Sequence, residues 1–408
     1  MKLKKIAVLI AAAGLSASAF ATNGYFAHGY GMKSKGMAGV ATAYGQDTLA
    51  AATNPANMVL LGNRWDAGVD YFRPQRESEI TGFGKFDGND SENYLVPEFG
   101  YNRMINSNMS LGLSVYGNGG MATDYGDYNA RTALTPVNMG VGSAGVDLMQ
   151  LFIAPTWAYK LNESHSVGVT FKLAFQSFEA FGLQNFNAAP FTSAPGKVTN
   201  NDHDSSWGYG LAFGWTGKVA PTLTLGASYH SRVYMGKFGD YKGLFAEQGD
   251  FDIPESYNLG FSWQATPQLV VAGDIQQINY GSVRSIANKQ TALAPLGADN
   301  GSGFGWDDMT VYKLGASYDV NNNLTVRGGY SWADAPYQGD QTFFNILAPG
   351  VIEQHLTLGA TWRLQSGGEV TVSYMHAFEN NVKGKGATTG IDNRMYQNSL
   401  GVAYGAKF

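Results

Sequence analysis

From residue 64 onward, apolar and polar side chains alternate with a period of two over segments of about ten residues, as in a strand with one face in lipid and the other in water. Val167, Val169, Phe171, Leu173 and Phe175 are apolar, while Gly168, Thr170, Lys172, Ala174 and Gln176 between them are polar or small. The same split recurs at Trp207, Tyr209, Leu211, Phe213 and Trp215, at Leu223, Leu225, Ala227 and Tyr229, and at Leu324, Val326, Gly328, Tyr330 and Trp332. The pattern predicts fourteen strands, at 64–73, 93–103, 108–117, 146–160, 165–178, 205–218, 222–233, 253–264, 267–280, 307–319, 323–332, 351–364, 368–379 and 394–408. Their connections alternate strictly. Tight turns such as 161–164, 219–221, 265–266 and 365–367 separate long loops at 74–92, 118–145, 179–204, 234–252, 281–306, 333–350 and 380–393. An even strand count with turns short on one side and long on the other predicts an all-β fold, an antiparallel transmembrane β-barrel with periplasmic turns and extracellular loops. A soluble β-sandwich gives no reason for that asymmetry.

Composition agrees. Charged residues are 14% of the chain and aromatics 13%, with 53 glycines. Beyond the N-terminus no apolar run approaches the ~20 residues of a spanning helix, which excludes a polytopic helical membrane protein. The absence of cysteine excludes a disulfide framework and thiolate metal or redox sites. At the N-terminus Lys2, Lys4 and Lys5 precede an apolar stretch from Ile6 to Leu15, and Ala19-Phe20-Ala21 supplies small residues at a cleavage site. This predicts a signal peptide over 1–21, too short for a membrane anchor. The chain is acidic, with a formal net charge of -5, and becomes more so once the three lysines are removed, so nucleic acid is not an expected partner.

Residues 22–62 have no two-residue period and carry Gly24, Gly29, Gly31, Gly36, Gly39 and Gly45 among Ala, Met and Ser. A short helix is expected from about Ser34 to Tyr44. A second begins at Asp47, its N-cap acceptor, and stops before Asn54-Pro55, because the residue before proline is driven out of the helical region. Such a segment, poor in charge and rich in small side chains, reads as a plug in the lumen; a periplasmic tail is the alternative. The barrel then occupies 63–408.

The run Gly29-Tyr30-Gly31-Met32-Lys33-Ser34-Lys35-Gly36-Met37-Ala38-Gly39, then Asp47 and Ala51-Ala52-Thr53-Asn54-Pro55-Ala56-Asn57-Met58, resembles the hatch signature of the FadL/TodX family of outer-membrane hydrophobic-compound transporters. Trp306-Asp307-Asp308, Tyr312 to Ala316, Leu324 to Tyr330 and Ala335-Pro336 are similar to the C-terminal half of that family. The resemblance implies a monomeric fourteen-stranded barrel closed by an N-terminal hatch, carrying fatty acids or hydrocarbons inward without energy input. It places Gly36, Gly39 and Asp47 in the hatch. It further implies that Asn54, Pro55 and Ala56 lie near a kink in the third strand that opens the wall towards lipid. The triplet also reads simply as a helix end. Interior glycine marks bends, so Gly112 and Gly117, with Gly119 and Gly120, are the kink candidates. The terminal Phe408, on one face with Leu400, Val402, Tyr404 and Ala406, resembles the signal read by the barrel-assembly machinery of Gram-negative outer membranes.

Two long loops are unusually apolar. One carries Phe178, Phe181, Leu183, Phe186 and Phe191, the other Tyr234, Met235, Phe238, Tyr241, Leu244 and Phe245. They are expected either to form a groove that captures a hydrophobic ligand outside the lipopolysaccharide layer or to pack on each other over the barrel mouth. A fatty-acid carboxylate needs a cation. Lys237 and Lys242, set among the loop aromatics, are preferred over the inward-facing Lys172, Lys313 and Arg327, and Arg327 reads equally as part of a lumen ion-pair network with the plug and with Glu353 and His355. No enzyme constellation is present: His230-Ser231 places its side chains on opposite faces, and there is no Gly-x-Ser-x-Gly elbow. Asp202-His203-Asp204 reads as a solvated acidic turn rather than a metal site, and no cofactor is expected. Transport of a hydrophobic solute is therefore the favoured function, with a general porin or an adhesin-like structural barrel as the alternative.

Overall fold

The computed structural model describes residues 22–126, 140–291 and 294–408. The proposed signal peptide lies outside them. Fourteen strands form the wall: β1 (Arg64–Ile80), β2 (Tyr94–Asn106), β3 (Met109–Asp124), β4 (Gly145–Lys160), β5 (His165–Phe181), β6 (Asp204–Ala220), β7 (Leu223–His230), β8 (Ser256–Gln264), β9 (Leu269–Ile278), β10 (Met309–Asp319), β11 (Leu324–Trp332), β12 (Gln354–Arg363), β13 (Gly368–Val382) and β14 (Ile391–Lys407). Each pairs antiparallel with its sequence neighbour. The sheet closes where β1 meets β14, in register from Arg64 opposite Lys407 to Ile80 opposite Ile391. Two short ribbons, Gly84–Asp87 and Tyr234–Met235, are appended to it.

The alternation has its expected meaning. Outward positions such as Leu211, Phe213, Leu259, Leu314, Leu358 and Leu400 are exposed to the bilayer, whereas Thr170, Gln176, Ser228, Thr357 and Gln397 are buried inside. With no second layer to pack on, the core is the lumen itself, filled by residues 22–62 and capped by the loops. Strand ends depart from expectation where lipid no longer marks them. β1 and β14 continue as a polar ribbon above the membrane, pairing Glu77 with Arg394 and Glu79 with Asp392, so the apolar rhythm stops before the strand does. β7, β8, β9 and β12 are shorter than their patterns, because the apolar residues at their ends belong to loops packed over the mouth.

Candidate functional site

The plug is a chain of tight turns rather than two helices. The expected helix over Ser34–Tyr44 reduces to α1 (Met32–Lys35), since Ala38 and Gly39 take φ of 58° and 81° and turn the chain back. Gly39 is required there: a Cβ would fall 1.8 Å from the His28 carbonyl oxygen. Gly36 lies flat on Gly359 of β12, where a Cβ would meet its Cα at 2.9 Å. Asp47 caps a 3-10 turn, Thr48–Ala52, by accepting the Leu49 N–H at 3.1 Å. Asn54 then starts another, Pro55–Leu60, with Oδ1 accepting from Ala56 N at 3.0 Å. Its amide donates to Thr42 O at 2.7 Å, and to Trp215 O and Thr216 Oγ1 at 3.0 Å. Gly214 and Gly168 leave room for this, since a Cβ on either would overlap Asn54 or Pro55. Asn54, Pro55 and Ala56 are therefore held by β5 and β6, and the segment reaches the third strand on either side of them, through Met58 at Gly112 and through Thr53 in the cavity shared with Asn118.

Buried carboxylates and cations dock the plug to the wall. Lys35 meets Asp70 at 2.7 Å, Glu98 accepts the Gly31 N–H at 3.1 Å, Lys33 and Arg64 share Glu369, and Thr48 donates twice to Asp66. Burial and then the like charge of Asp66 push Asp47 up to about 6, against the opposing pull of Lys33 and Arg64. A raised carboxyl binds its proton more tightly in the docked state, so this contribution is complete below about pH 4 and is lost as pH rises through 6. Asp47→Asn keeps a cap acceptor and removes the charge. It should stabilise plug docking at pH 7 by ~1–3 kcal/mol and flatten the pH 4–7 branch of the unfolding midpoint.

The wall parts between β2 and β3. β2 and β3 pair only from Phe99 opposite Val115 to Asn106 opposite Met109; above that, Tyr94–Glu98 keeps β1 as a neighbour and the upper half of β3 keeps β4, with a gap between. A register shift between Gly117 and Gly119 bulges Asn118 out of the β3–β4 ladder, which sets the kink just after Gly117. Gly112 is regularly paired and instead makes room for the Met58 side chain. Residues 25–27 seal the gap from inside, with Ala27 N donating to Asn118 O at 3.0 Å and Gly120 N to Tyr25 O at 3.1 Å. The Tyr30 hydroxyl reaches Asn118 Oδ1 at 3.0 Å.

Beside the bulge lies a cavity of about 20 Å³, the size of one water, bordered by Tyr30, Asn118, Lys172, His230 and Lys313. Lys172 is 7% exposed, faces the Phe152 ring at 5.3 Å and has no carboxylate within 4.0 Å among the described residues. Lys313 donates to the His28 carbonyl at 3.1 Å. Arg327 bonds Gln46 and Thr361. Lys237 and Lys242, the cations preferred from sequence, face solvent, the former bonded to the Glu247 carbonyl. The difference arises because the loop aromatics bury one another and leave long charged side chains outside.

Phe178, Phe238, Phe245 and Leu183 are buried over the mouth, and Phe178 and Phe245 lie 4.6 Å apart between ring centres. Tilted ring contacts continue from Phe245 through Phe251 to Tyr25 and on to Tyr280 and Trp306, linking the loops to the plug at steps of 4.8 to 6.1 Å. Leu244 packs on this cluster. Phe181 and Tyr234 do not join it: Phe181 falls on the outward face of β5 and Tyr234 is 61% exposed. Phe186 lies in a separate cleft of about 180 Å³ with Phe191, Leu296 and Phe344, which the loops after β5, β9 and β11 build together. In the acidic turn, His203 approaches Glu179 at 3.1 Å and Asp147 at 3.3 Å.

The chain is 23% identical to a long-chain fatty acid transport protein of Escherichia coli (strain CFT073) over 91% of each chain, and 26% identical to a 47 kDa outer membrane protein of Pasteurella multocida over 91% of this chain and 89% of that one. Among solved structures, the Pseudomonas putida toluene transporter TodX superposes with a TM-score of 0.73 at 19% identity, covering 93% of this chain and 99% of that one. A Pseudomonas aeruginosa FadL homologue gives 0.72 at 16% identity, over 94% and 100%. Residues 8–407 match the model of the outer membrane protein transport protein family (OMPP1/FadL/TodX). The chain belongs to that family, and its barrel lies in the outer membrane.

Proposed function

We propose that the protein passes hydrophobic compounds, long-chain fatty acids or small aromatic hydrocarbons, through the outer membrane without energy input. The observation that carries this is the gap between β2 and β3, closed from inside by plug residues 25–27 and Tyr30, where the aromatic column meets the plug. A lumen filled by residues 22–62 differs from the open, water-filled channel of a porin. Ligand is captured in the Phe186 cleft, moves along the column as its rings repack, and pauses at Lys172 and Lys313, where an unpaired ammonium favours a carboxylate over a neutral head. Displacement of residues 25–27 then releases it through the gap into lipid. The Asn54 amide holds the rest of the plug on β5 and β6 while this happens. The barrel works as a monomer, inserted by the assembly machinery through Phe408.

Uptake of labelled oleate and of labelled toluene by cells lacking their own transporter, with and without this protein, tests the reading. Asn54→Ala removes a cap and strands buried carbonyls, at a cost of about 2–4 kcal/mol, and should lower uptake several-fold in cells with equal amounts of folded barrel. Uptake of neither ligand, or a steady ionic conductance in planar bilayers, would overturn the proposal.

A further inference from the structure

The unpaired edge of β3 exposes polar backbone groups at every second residue, and each is satisfied differently. Asn118 O and Gly120 N bond the plug, and Asp124 bonds Gly88 and Asp90 of the loop above, at 3.2 Å each. Ala122 O is met by a side chain, Arg76 of β1. The same guanidinium donates to Ser91 O, in the loop three residues before β2, and to the Tyr94 hydroxyl at 3.4 Å, while Tyr94, the first residue of β2, donates to Ser91 O at 2.5 Å. Arg76 thus ties the two sides of the gap together above the plug seal.

Its environment is unusual for a cation. Arg76 is 2% exposed, its Nε has no partner, and no carboxylate among the described residues comes within 4.0 Å. It borders a small cavity of about 10 Å³ whose lining includes Pro74, Met121, Ala122, Trp306, Gly350 and Met395. Trp306 is also a ring of the aromatic column, in contact with Tyr25 and Tyr280, so an apolar chain lying along these rings places its head beside the guanidinium. A permanent charge buried against neutral carbonyls, with one N–H unsatisfied, prefers an anion; a carboxylate accepts two parallel N–H bonds from such a fork and makes them roughly twice as strong.

We propose that Arg76 is a carboxylate-receiving latch on the wall gap. It holds Ser91 and Ala122 together until the head group of a fatty acid takes its N–H groups and frees both edges. The inference rests on the transport reading above and adds to it a site and a ligand class: a monoanionic amphiphile opens the gap by exchange, and a neutral one of the same length does not.

The test uses the full-length protein in lipid nanodiscs with oleate and with oleyl alcohol, which differ only in the head. In the wild type, oleate should bind tighter, and at equal occupancy oleate alone should speed amide hydrogen exchange in 88–94 and 118–124. Arg76→Gln should weaken oleate about tenfold and leave oleyl alcohol unchanged, and Arg76→Lys, with charge but no fork, should fall between. If Arg76→Gln fails to assemble, the wild-type exchange comparison and the Lys variant decide. Equal loss of both ligands in the variants would make Arg76 a structural stitch and overturn the latch, as would equal exchange with either ligand. Failure of the wild type to bind either compound would instead overturn the transport reading beneath it.

Discussion

Lys35→Met should cost about 3–5 kcal/mol of plug docking, because it strips the cation from two carboxylates that have no route to water. Asp70 is fully buried and holds Lys35 at 2.7 Å on one oxygen and Ser399 at 2.6 Å on the other, and Glu98 stands 4.0 Å from the same ammonium. Lys33 makes the contrast. Its partner Glu369 is also held by Arg64, so Lys33→Met leaves the carboxylate paired and should cost much less. The effect is read as faster hydrogen exchange over residues 31–40 and a lower urea midpoint. Neutralising all three groups, as Lys35→Met with Asp70→Asn and Glu98→Gln, should recover a large part of the loss, since an unpaired buried charge rather than a missing attraction is what destabilises. A single Lys35→Met protein with wild-type exchange would sink the docking argument.

Gly119→Val should break the inner seal of the gap. A Cβ at this position would stand 1.8 Å from the Tyr25 carbonyl oxygen and 3.1 Å from the Phe26 Cα, so the clash is with backbone, which no rotamer can relieve. Overpacking of this kind costs about 1–3 kcal/mol where side chains can give way, and more against main chain. Beyond the bulge, residues 25–27 are held by loop groups rather than by the wall: the Tyr280 hydroxyl bonds the Asn23 carbonyl and the Phe26 N–H, and the Tyr25 ring packs on Phe251, Tyr280 and Trp306. The expected result is displacement of residues 23–27 with the barrel intact, seen as chymotryptic cleavage at Tyr25 or Phe26 and as faster entry of hydrophobic solutes. A folded Gly119→Val barrel that stays resistant at those bonds would show that the seal does not depend on close approach at the bulge.

Much of the fold was readable from residues alone, for a reason particular to this architecture. Along Val167 to Phe175 every odd residue touches lipid and every even one the lumen, so environment is written locally with a period of two, and strand number and facing follow. The alternation of Gln365–Gly367-type turns with long loops carries the orientation in the same local way. Capping is equally local: Asp47 and Asn54 act on N–H groups two residues away.

The site is another matter. That the gap lies above Phe99 and Val115, that Gly117 rather than Gly112 borders the bulge, and that Asn54 reaches Thr216 are all relations between residues far apart in the chain, made by how the plug seats. Arg76 shows this most sharply. In the sequence it is one of several charges in Arg73-Pro74-Gln75-Arg76-Glu77, within the long loop expected over 74–92, and its lack of an ion pair among the described residues appears only when β1 extends past the membrane and turns it inward. The loop lysines looked like the better carboxylate partners because sequence proximity to aromatics suggested a shared pocket, whereas packing buried the rings and left the ammonium groups in water. By itself, then, the sequence determined the barrel, its facing and the presence of a small-residue plug, since each depends on neighbours within a few residues. Only the tertiary structure decided where the wall parts and which cations lie without a counter-ion, because burial and pairing of charge depend on what distant segments bring together.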